Sequence, residues 1–573
     1  MTFLRYARIV CSIALATALS FCSEQLTDGP DARTEQPTQT DPTTAPADTL
    51  EALLHEHIAI LASDEFEGRA PATPGEELTV NYLREQFMKL GVAPGNGDSY
   101  FQPVEVTEIT VAGAPELTIQ GSDYAASFSY GDQQVVGTQQ QVPFVTLQGS
   151  DLVFVGYGIV APERNWNDYA NIDVTDKTVI ILVNDPGYAT QDPAVFDGNA
   201  MTYYGRWTYK YEEAARQGAA AAIIVHETGP AGYGWEVVNN SWTGPQIGLS
   251  ASNLNGDLAE IEGWITQETA EAVFDGAGLS YTQLKQAAAQ PGFTAIPMAD
   301  LTLNVSIENS VRTSLSQNVL AAIPGTTRPE ETIIYTAHWD HLGIDPTLEG
   351  DQIYNGASDN ATGTAGLLAL AQLHTQVPAP ERTVVFLAVT AEESGLLGSQ
   401  WYAEHPVYPI ASTVANINMD NMNTVGRTHD VVVVGAGSSE LEKYLADAAG
   451  RQGRYVQSEP NPERGYYYRS DHFNFAKVGV PALYAESGED NIEFGRDYGA
   501  AQAEDYTENR YHQPGDEYRE SWDLSGAAED LRLYFDIGQR LANEQTFPEW
   551  YDGNEFKVIR DASSALRHGT DPQ

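Results

Sequence analysis

Two apolar rhythms share this chain. Near its start, Leu53, His57, Ile60 and Leu61 follow helical spacing. A second helix is predicted over about 76–90, where Val80, Leu83, Phe87 and Leu90 recur every three or four residues and Gly91 stands at the C-cap position. Further on, the apolar residues come in unbroken runs. Lys177 to Val183 predicts a strand, Tyr211 to Gln217 a helix that Gly218 breaks, and Ala219 to Val225 another strand. After about Leu301 the pattern settles into strand, loop, helix. Strands are predicted over 332–337, 383–389, 415–419, 431–434 and 481–484, with helices over 363–374 and 439–451. Unbroken apolar runs belong to strands covered on both faces. The fold class expected is therefore α/β: a mixed, mostly parallel sheet flanked by helices, with a smaller α/β unit inserted.

A chain of 573 residues exceeds what one hydrophobic core organises. Arg5 and Arg8 precede the apolar run from Ile9 to Leu19, which is too short for a permanent membrane helix and reads as an export leader over 1–22. Cys11 and Cys22 are the only cysteines, so cleavage near Cys22 leaves no intrachain disulfide to support the fold. Leu19-Ser20-Phe21-Cys22 also resembles a lipoprotein signal, although Phe21 stands where a small residue is usual. Residues 23–48, rich in Thr, Pro, Asp and Gln, read as a tether. The expected division is an N-terminal part of the main unit at 49–130, an insert at 145–295, the rest of the main unit at 300–545 and a tail at 546–573. The expected location is outside the cytoplasm: periplasm, outer-membrane anchored or extracellular. With 30 basic against 80 acidic residues, net −50, the surface repels phosphate backbones and excludes nucleic acid as a partner. Membrane attachment is expected only through a lipid at Cys22.

Ligands of open α/β sheets bind beyond the carboxyl ends of the strands. Reading just past each predicted strand gives His338-Trp-Asp340-His341, then Glu392-Glu393, then Asp420. Asp359 precedes an Ala/Leu-rich helix, and Tyr511-His512 comes before the last helical region. A single acid at a strand end is ordinarily a helix cap, and adjacent glutamates are ordinarily a solvated pair. Five segments sending imidazoles and carboxylates to one edge are not so easily dismissed. His226 ends a strand of the insert alone, which suits a structural role better than a ligand.

These segments, in this order, resemble the signatures of the M28 peptidases: Ala337-His-Trp-Asp-His341, Gly356-Ala-Ser-Asp-Asn360, Glu392-Glu-Ser-Gly-Leu-Leu-Gly-Ser399, Asn418-Met-Asp420 and Tyr511-His512. Arg469-Ser-Asp-His472, Gly479-Val-Pro481 and the early Leu61-Ala-Ser-Asp-Glu-Phe-Glu-Gly-Arg69 fit the same pattern. The likeness covers about Thr49 to Phe101 and Leu301 to Asn543, while the insert is similar to a protease-associated (PA) domain. The resemblance implies a zinc-dependent exopeptidase fold and a two-zinc aminopeptidase acting on peptides. Asp359 would bridge two Zn2+ ions, His338 and Asp420 completing one site, Glu393 and His512 the other; Co2+ or Mn2+ could take the same positions. Glu392 would be the general base, Asp340 would orient His338, and Tyr511 would donate to the developing oxyanion.

Other readings compete. A glutaminyl cyclase-like acyltransferase would need one zinc, a receptor-like binding protein would need none, and a metallo-carboxypeptidase would present several Arg or Lys to a free carboxylate. Acidic ligand positions and few basic residues favour the aminopeptidase. The run from Val431 to Glu440 imitates a dinucleotide-binding turn, but Glu440 stands where a third small residue belongs. A serine hydrolase is disfavoured because no Gly-x-Ser-x-Gly elbow occurs, and Ser470, Asp471 and His472 are consecutive.

Overall fold

The computed structural model describes residues 47–250 and 258–567. The leader expected at 1–22 and nearly all of the tether expected at 23–48 lie outside the described residues. The first described element, helix Ala47–Leu61, buries Leu50, Leu54, Ile58 and Leu61. Its buried stripe is turned from the expected one, leaving Leu53 and Ile60 at the margin. The cause is tertiary: the helix packs against both Thr362–Thr375 and Ser525–Asn543, so the face between them is the deepest. Helix Pro74–Leu90 starts on a Thr73 cap, whose hydroxyl accepts from the Glu76 N–H, and stops at Gly91, φ 72°. Phe87 on its inner face stacks on Phe386, ring centroids 6.1 Å apart.

The sheet carrying the site runs, in spatial order, Phe101–Val111, the second half of Ile296–Ile323, Arg382–Val389, Arg328–His338, Thr413–Asn418, Ala482–Ser487, Asp430–Val433 and Tyr455–Ser458. The central strands from Arg382–Val389 to Ala482–Ser487 are mutually parallel, so their carboxyl ends share one edge. Alternation assigns the faces. Ile333, Tyr335 and Ala337 join Val384 and Phe386 beneath helices Thr362–Thr375 and Ser525–Asn543. Ile334, Val385 and Leu387 point the other way, against Tyr402 and Phe475. Gly538 is required where helix meets sheet, since a Cβ there would lie 1.6 Å from the Tyr335 hydroxyl oxygen.

The 28-residue strand Ile296–Ile323 belongs to two sheets. Its first part pairs with Phe144–Phe154, and the second sheet continues through Thr178–Leu182, Ala221–His226 and Ile261–Thr266 in parallel, closed by Gln134–Gly137. Leu117–Gln120 pairs with Thr302 to Asn304 and carries Ala125–Phe128 beside it. Residues from about 117 to 130, placed in the main unit by sequence, are thus built into the second sheet. Their partner strand lies nearly two hundred residues downstream, beyond the reach of local pattern. The helix expected over 211–217 also begins earlier, as Trp207–Arg216.

The tail expected at 546–573 is folded over its described part. Trp550 is 2% exposed and donates its indole N–H to the Gly479 carbonyl at 3.0 Å. Phe556 is buried, and helix Lys557–Arg567 brings Arg560 to the Thr413 carbonyl at 3.0 Å. Two isolated aromatics carry no periodicity, so the sequence pattern by itself marks the segment only as a tail. No helix among the described residues is long and apolar enough to cross a membrane.

His374 lies between helix and sheet, its ring 4.9 Å from that of Phe535. Gln539 Nε2 lies 2.9 Å from its Nδ1, and its Nε2 is 3.1 Å from the Tyr335 hydroxyl, which donates to the Tyr534 carbonyl. Since the amide nitrogen can only donate, the chain of bonds fits a neutral ring protonated at Nε2. Burial pushes this imidazole down from 6.5 to about 3. The unfolded chain therefore binds a proton that the folded chain refuses, and stability falls as the pH drops from about 6.5 towards about 3. The expected slope is at most about 1.4 kcal/mol per pH unit from this group. Urea unfolding at several pH values should show His374→Leu with a shallower acid limb than the parent. Trp550→Ala should cost about 3–5 kcal/mol in the same measurement; a change near zero would mean the C-terminal segment adds nothing to the fold.

Candidate metal-binding active site

The parallel strands stop together, and the side chains just beyond them meet. His338 ends Arg328–His338. Glu392 and Glu393 follow Arg382–Val389 through Ala391, whose φ of 53° turns the chain sharply. Asp420 lies two residues past Thr413–Asn418. Asp359 comes from the turn before helix Thr362–Thr375, and His512 follows helix Arg496–Asn509.

Asp359 is central. Its Oδ1 lies 3.3 Å from His338 Nε2, and its Oδ2 lies 3.3 Å from His512 Nε2. His338 Nε2 is also 3.2 Å from Asp420 Oδ1, and His512 Nε2 is 3.0 Å from Glu393 Oε2. One carboxylate thus stands between two imidazole–carboxylate pairs. Glu392 and Glu393 are differently employed. Glu393 Oε1 lies 2.6 Å from His341 Nδ1 while its other oxygen faces His512. Glu392 reaches only to 4.0 Å from His338 Nε2 and its carboxylate has no hydrogen bond among the described residues.

Two expected roles look different in three dimensions. Asp340 was expected to orient His338, yet its Oδ1 is 3.8 Å from His338 Nδ1, and its backbone carbonyl is nearer at 3.2 Å. Its buried carboxylate instead accepts from the backbone N–H groups of Glu392 at 3.1 Å and Glu393 at 3.4 Å. A desolvated carboxylate takes the nearest N–H donors, and here those belong to the glutamate turn. Tyr511 stacks on His512, ring centroids 3.9 Å apart, and stays half-exposed with no hydrogen bond to the cluster.

The supports were not assigned from sequence. Asp516 accepts from the Ser358 N–H at 3.0 Å and the Asp359 N–H at 3.1 Å, holding the Asp359 turn. Arg69, 1% exposed, donates to the carbonyls of Leu61, Trp339, Asn355 and Gly356 at 2.6–2.9 Å. Ser470 donates to Asp420 Oδ2 at 2.7 Å, which removes it from any serine triad. His472 is enclosed by Tyr467 and Tyr484. Ser470 and Arg69 stood within recognisable motifs, and His341 within His338-Trp-Asp-His341; the motifs marked the positions without saying what the side chains touch. The turn after Asp430–Val433 is no phosphate cradle, because Glu442 accepts from the N–H groups of Gly437 and Ser438 at 2.9 and 2.7 Å. His226 lies 3.0 Å from the Tyr233 carbonyl among Trp235 and Trp264, a packed ring.

Charge is densely opposed here. Burial works against protonated His338, but Glu392, Asp420 and Asp359 outweigh it and hold the ring well above the usual range. Burial likewise opposes protonated His512, and Glu393 with Asp359 still raises it to about 10. For Glu393, burial and the Asp359 charge push up, yet His512 and His341 bring it down to about 2. Glu392 goes the other way, driven up first by burial, against the pull of His338. Both imidazoles behave as though a positive charge belongs between the carboxylates, as a cation bound there would supply.

The model of peptidase family M28 matches residues 318–535, a stretch that contains each of these expected site residues. Aminopeptidase YwaD of Bacillus subtilis (strain 168) is 32% identical over 111 residues, 19% of this chain and 22% of that protein. Probable leucine aminopeptidase 2 of Aspergillus fumigatus is 25% identical over 470 residues, covering 79% of this chain and 74% of that protein. The chain thus spans about a fifth of the length of the first of these curated relatives. Among solved structures, an aminopeptidase from Aneurinibacillus sp. strain AM-1 aligns with a TM-score of 0.46 at 19% identity, over 88% of this chain and 96% of that one. The segments that build the cluster lie within residues 318–535, the stretch that is similar to peptidase family M28.

Proposed function

We propose that this protein is a metal-dependent aminopeptidase that removes N-terminal residues from peptides. The observation carrying this reading is the position of Asp359, each oxygen facing a different imidazole at 3.3 Å. The donors suit metal: a desolvated group of carboxylates and imidazoles is stable only when cations balance it, and mixed nitrogen and oxygen donors favour zinc, with Co2+ or Mn2+ able to replace it. His338, Asp359 and Asp420 would hold one ion, and Asp359, Glu393 and His512 the other. Such a pair, when bound, supplies Lewis acidity to the attacked carbonyl and acidifies water.

The chain's own groups do the rest. Glu392, whose carboxylate is not engaged by a histidine hydrogen bond, takes a proton from the attacking water and passes it to the leaving amine. Asp340 keeps that carboxylate aimed by holding the amides of Glu392 and Glu393. Tyr511, its hydroxyl pushed up by partial burial and by the Asp359, Glu393 and Glu392 charges, stays protonated and donates to the developing oxyanion. Carboxylates around the cluster also suit the ammonium group of a peptide N-terminus, and the curated relatives above carry aminopeptidase names. The second sheet is read as a PA-like unit lying beside this site.

Glu392→Gln should keep two ions per chain, counted by elemental analysis, while kcat on an aminoacyl anilide falls by roughly 10²–10⁴. Unchanged turnover would remove Glu392 from the mechanism. Stripping the protein with a chelator should abolish hydrolysis and Zn2+ should restore it. Asp359→Ala should then hold neither ion tightly, whereas Asp420→Ala should weaken one more than the other. Full turnover by metal-free protein would end the two-cation reading.

A further inference from the structure

The two outer carboxylates of the cluster are built alike. Asp420 turns Oδ1 to His338 Nε2 at 3.2 Å, and its Oδ2 accepts from the Ser470 hydroxyl at 2.7 Å. Glu393 turns Oε2 to His512 Nε2 at 3.0 Å, and its Oε1 lies 2.6 Å from His341 Nδ1. Asp359 between them differs: each of its oxygens faces an imidazole, and Asp516 places it through its backbone N–H. Each outer carboxylate therefore presents one oxygen to the cluster and engages the other with a buried donor, since Ser470 and His341 are both buried.

The protons on these donors follow from their partners. Asn416 Nδ2 donates to the Thr336 hydroxyl at 3.0 Å, and that hydroxyl donates to Asn418 Oδ1 at 2.7 Å. Asn418 Nδ2 then donates to Ser470 Oγ at 2.7 Å, which leaves the Ser470 proton for Asp420. The chain of bonds runs one way and ends on the carboxylate. For His341, the carboxylate can only accept, so the ring carries its proton on Nδ1; its Nε2 is buried with no partner among the described residues. The ring is also held in place. Its backbone N–H donates to the Arg69 carbonyl at 3.4 Å, and it packs so closely on Gly356 that a Cβ there would collide with it. Ligand-type atoms of His341, Asp359 and Glu393 lie within 4.8 Å of one another, which suggests His341 as a ligand in its own right. Its nitrogen nearest Glu393, however, carries a proton and has no lone pair to give.

We propose that His341 and Ser470 are a matched pair of positioning residues, each holding the far oxygen of one outer carboxylate so that only the near oxygen meets a cation. Ser470 serves the ion held by His338, Asp359 and Asp420; His341 serves the ion held by Asp359, Glu393 and His512. The proposal rests on the two-cation reading above. A carboxylate free to rotate can take a cation with one oxygen or with both, and taking both fills a position that catalysis needs open. A donor on one oxygen removes that choice and orders the ligand before the ion arrives. Ser470 bonds Asp420 and His341 bonds Glu393, so removing either donor acts on one ion.

The test is a Zn2+ titration of the chelator-stripped full chain against a chromophoric chelator, which yields two affinities. Asp420→Ala and His512→Ala, each lacking a ligand of one ion, assign them. His341→Leu should weaken the ion on the His512 side by about 10- to 100-fold and leave the other near its parental affinity, and Ser470→Ala should do the reverse. His341→Asn, whose amide places an N–H where Nδ1 stood, and Ser470→Thr, which keeps the hydroxyl, should recover most of each loss. A role in folding alone would not weaken one ion selectively, nor would these conservative changes restore it. Thermal melts report whether each variant is folded, and His341→Phe and Ser470→Gly replace any that is not. Folded variants without the donor that keep both parental affinities, or lose both together, would overturn the proposal. A parent that takes up fewer than two ions would end the two-cation reading, and this proposal with it, before any variant is made. Two ions bound with no peptide cleaved would remove the peptidase reading alone, and the variant affinities would still decide the roles of His341 and Ser470.

Discussion

A carboxylate enclosed at the end of a sheet must be either neutralised or matched by charge, and Asp359 is matched on both sides. One oxygen faces His338, the other His512, and burial alone would favour a neutral acid. Everything around it limits its freedom. Asp516 grips the N–H groups of Ser358 and Asp359 from behind. Arg69 joins four carbonyls beneath the same turn, tying the early Leu61–Arg69 segment to the Trp339 and Asn355 loops. A guanidinium spent on backbone carbonyls contributes direction as well as charge, and its planar fork explains why lysine would not replace it. Its field also reaches Asp359 and Glu393, so one buried cation braces the loops and offsets part of the site's negative charge.

The fold makes this arrangement possible by ending parallel strands in register. His338 lies opposite Val389, and Thr336 opposite Asn418, so the residues that follow arrive at one level. The consecutive glutamates then acquire different employment from one turn. Asp340 holds both of their amides, and the backbone sends Glu393 to His341 and His512 while Glu392 stays unengaged. Consecutive residues rarely share surroundings, and here one carboxylate is shared between two imidazoles while the other has no histidine hydrogen bond.

Much of this was legible in the sequence because strand ends are local features. The strand closing on His338, the glutamate pair and Asp420 are each visible from the apolar run before them, so the residue types alone brought the site's chemistry together. What stayed hidden depends on distance along the chain. Asp516 and Asp359 are 157 residues apart, and Arg69 and Trp339 are 270 apart, so no periodicity connects them. The same holds for residues 117–130, which join the second sheet through Thr302 to Asn304, and for Trp550, which finds Gly479 from a segment lacking any pattern. The stripe on the first helix shows a milder case. Leu53 and Leu54 are equally plausible inward residues until the two helices beneath it choose Leu54.

The long strand Ile296–Ile323 explains how the two sheets are held to one another. By crossing from one sheet to the other without a linker, it gives the insert a continuous β-structural path into the sheet that carries the site. The seam at Tyr203, Tyr468 and Phe473 then fixes the remaining freedom by aromatic packing.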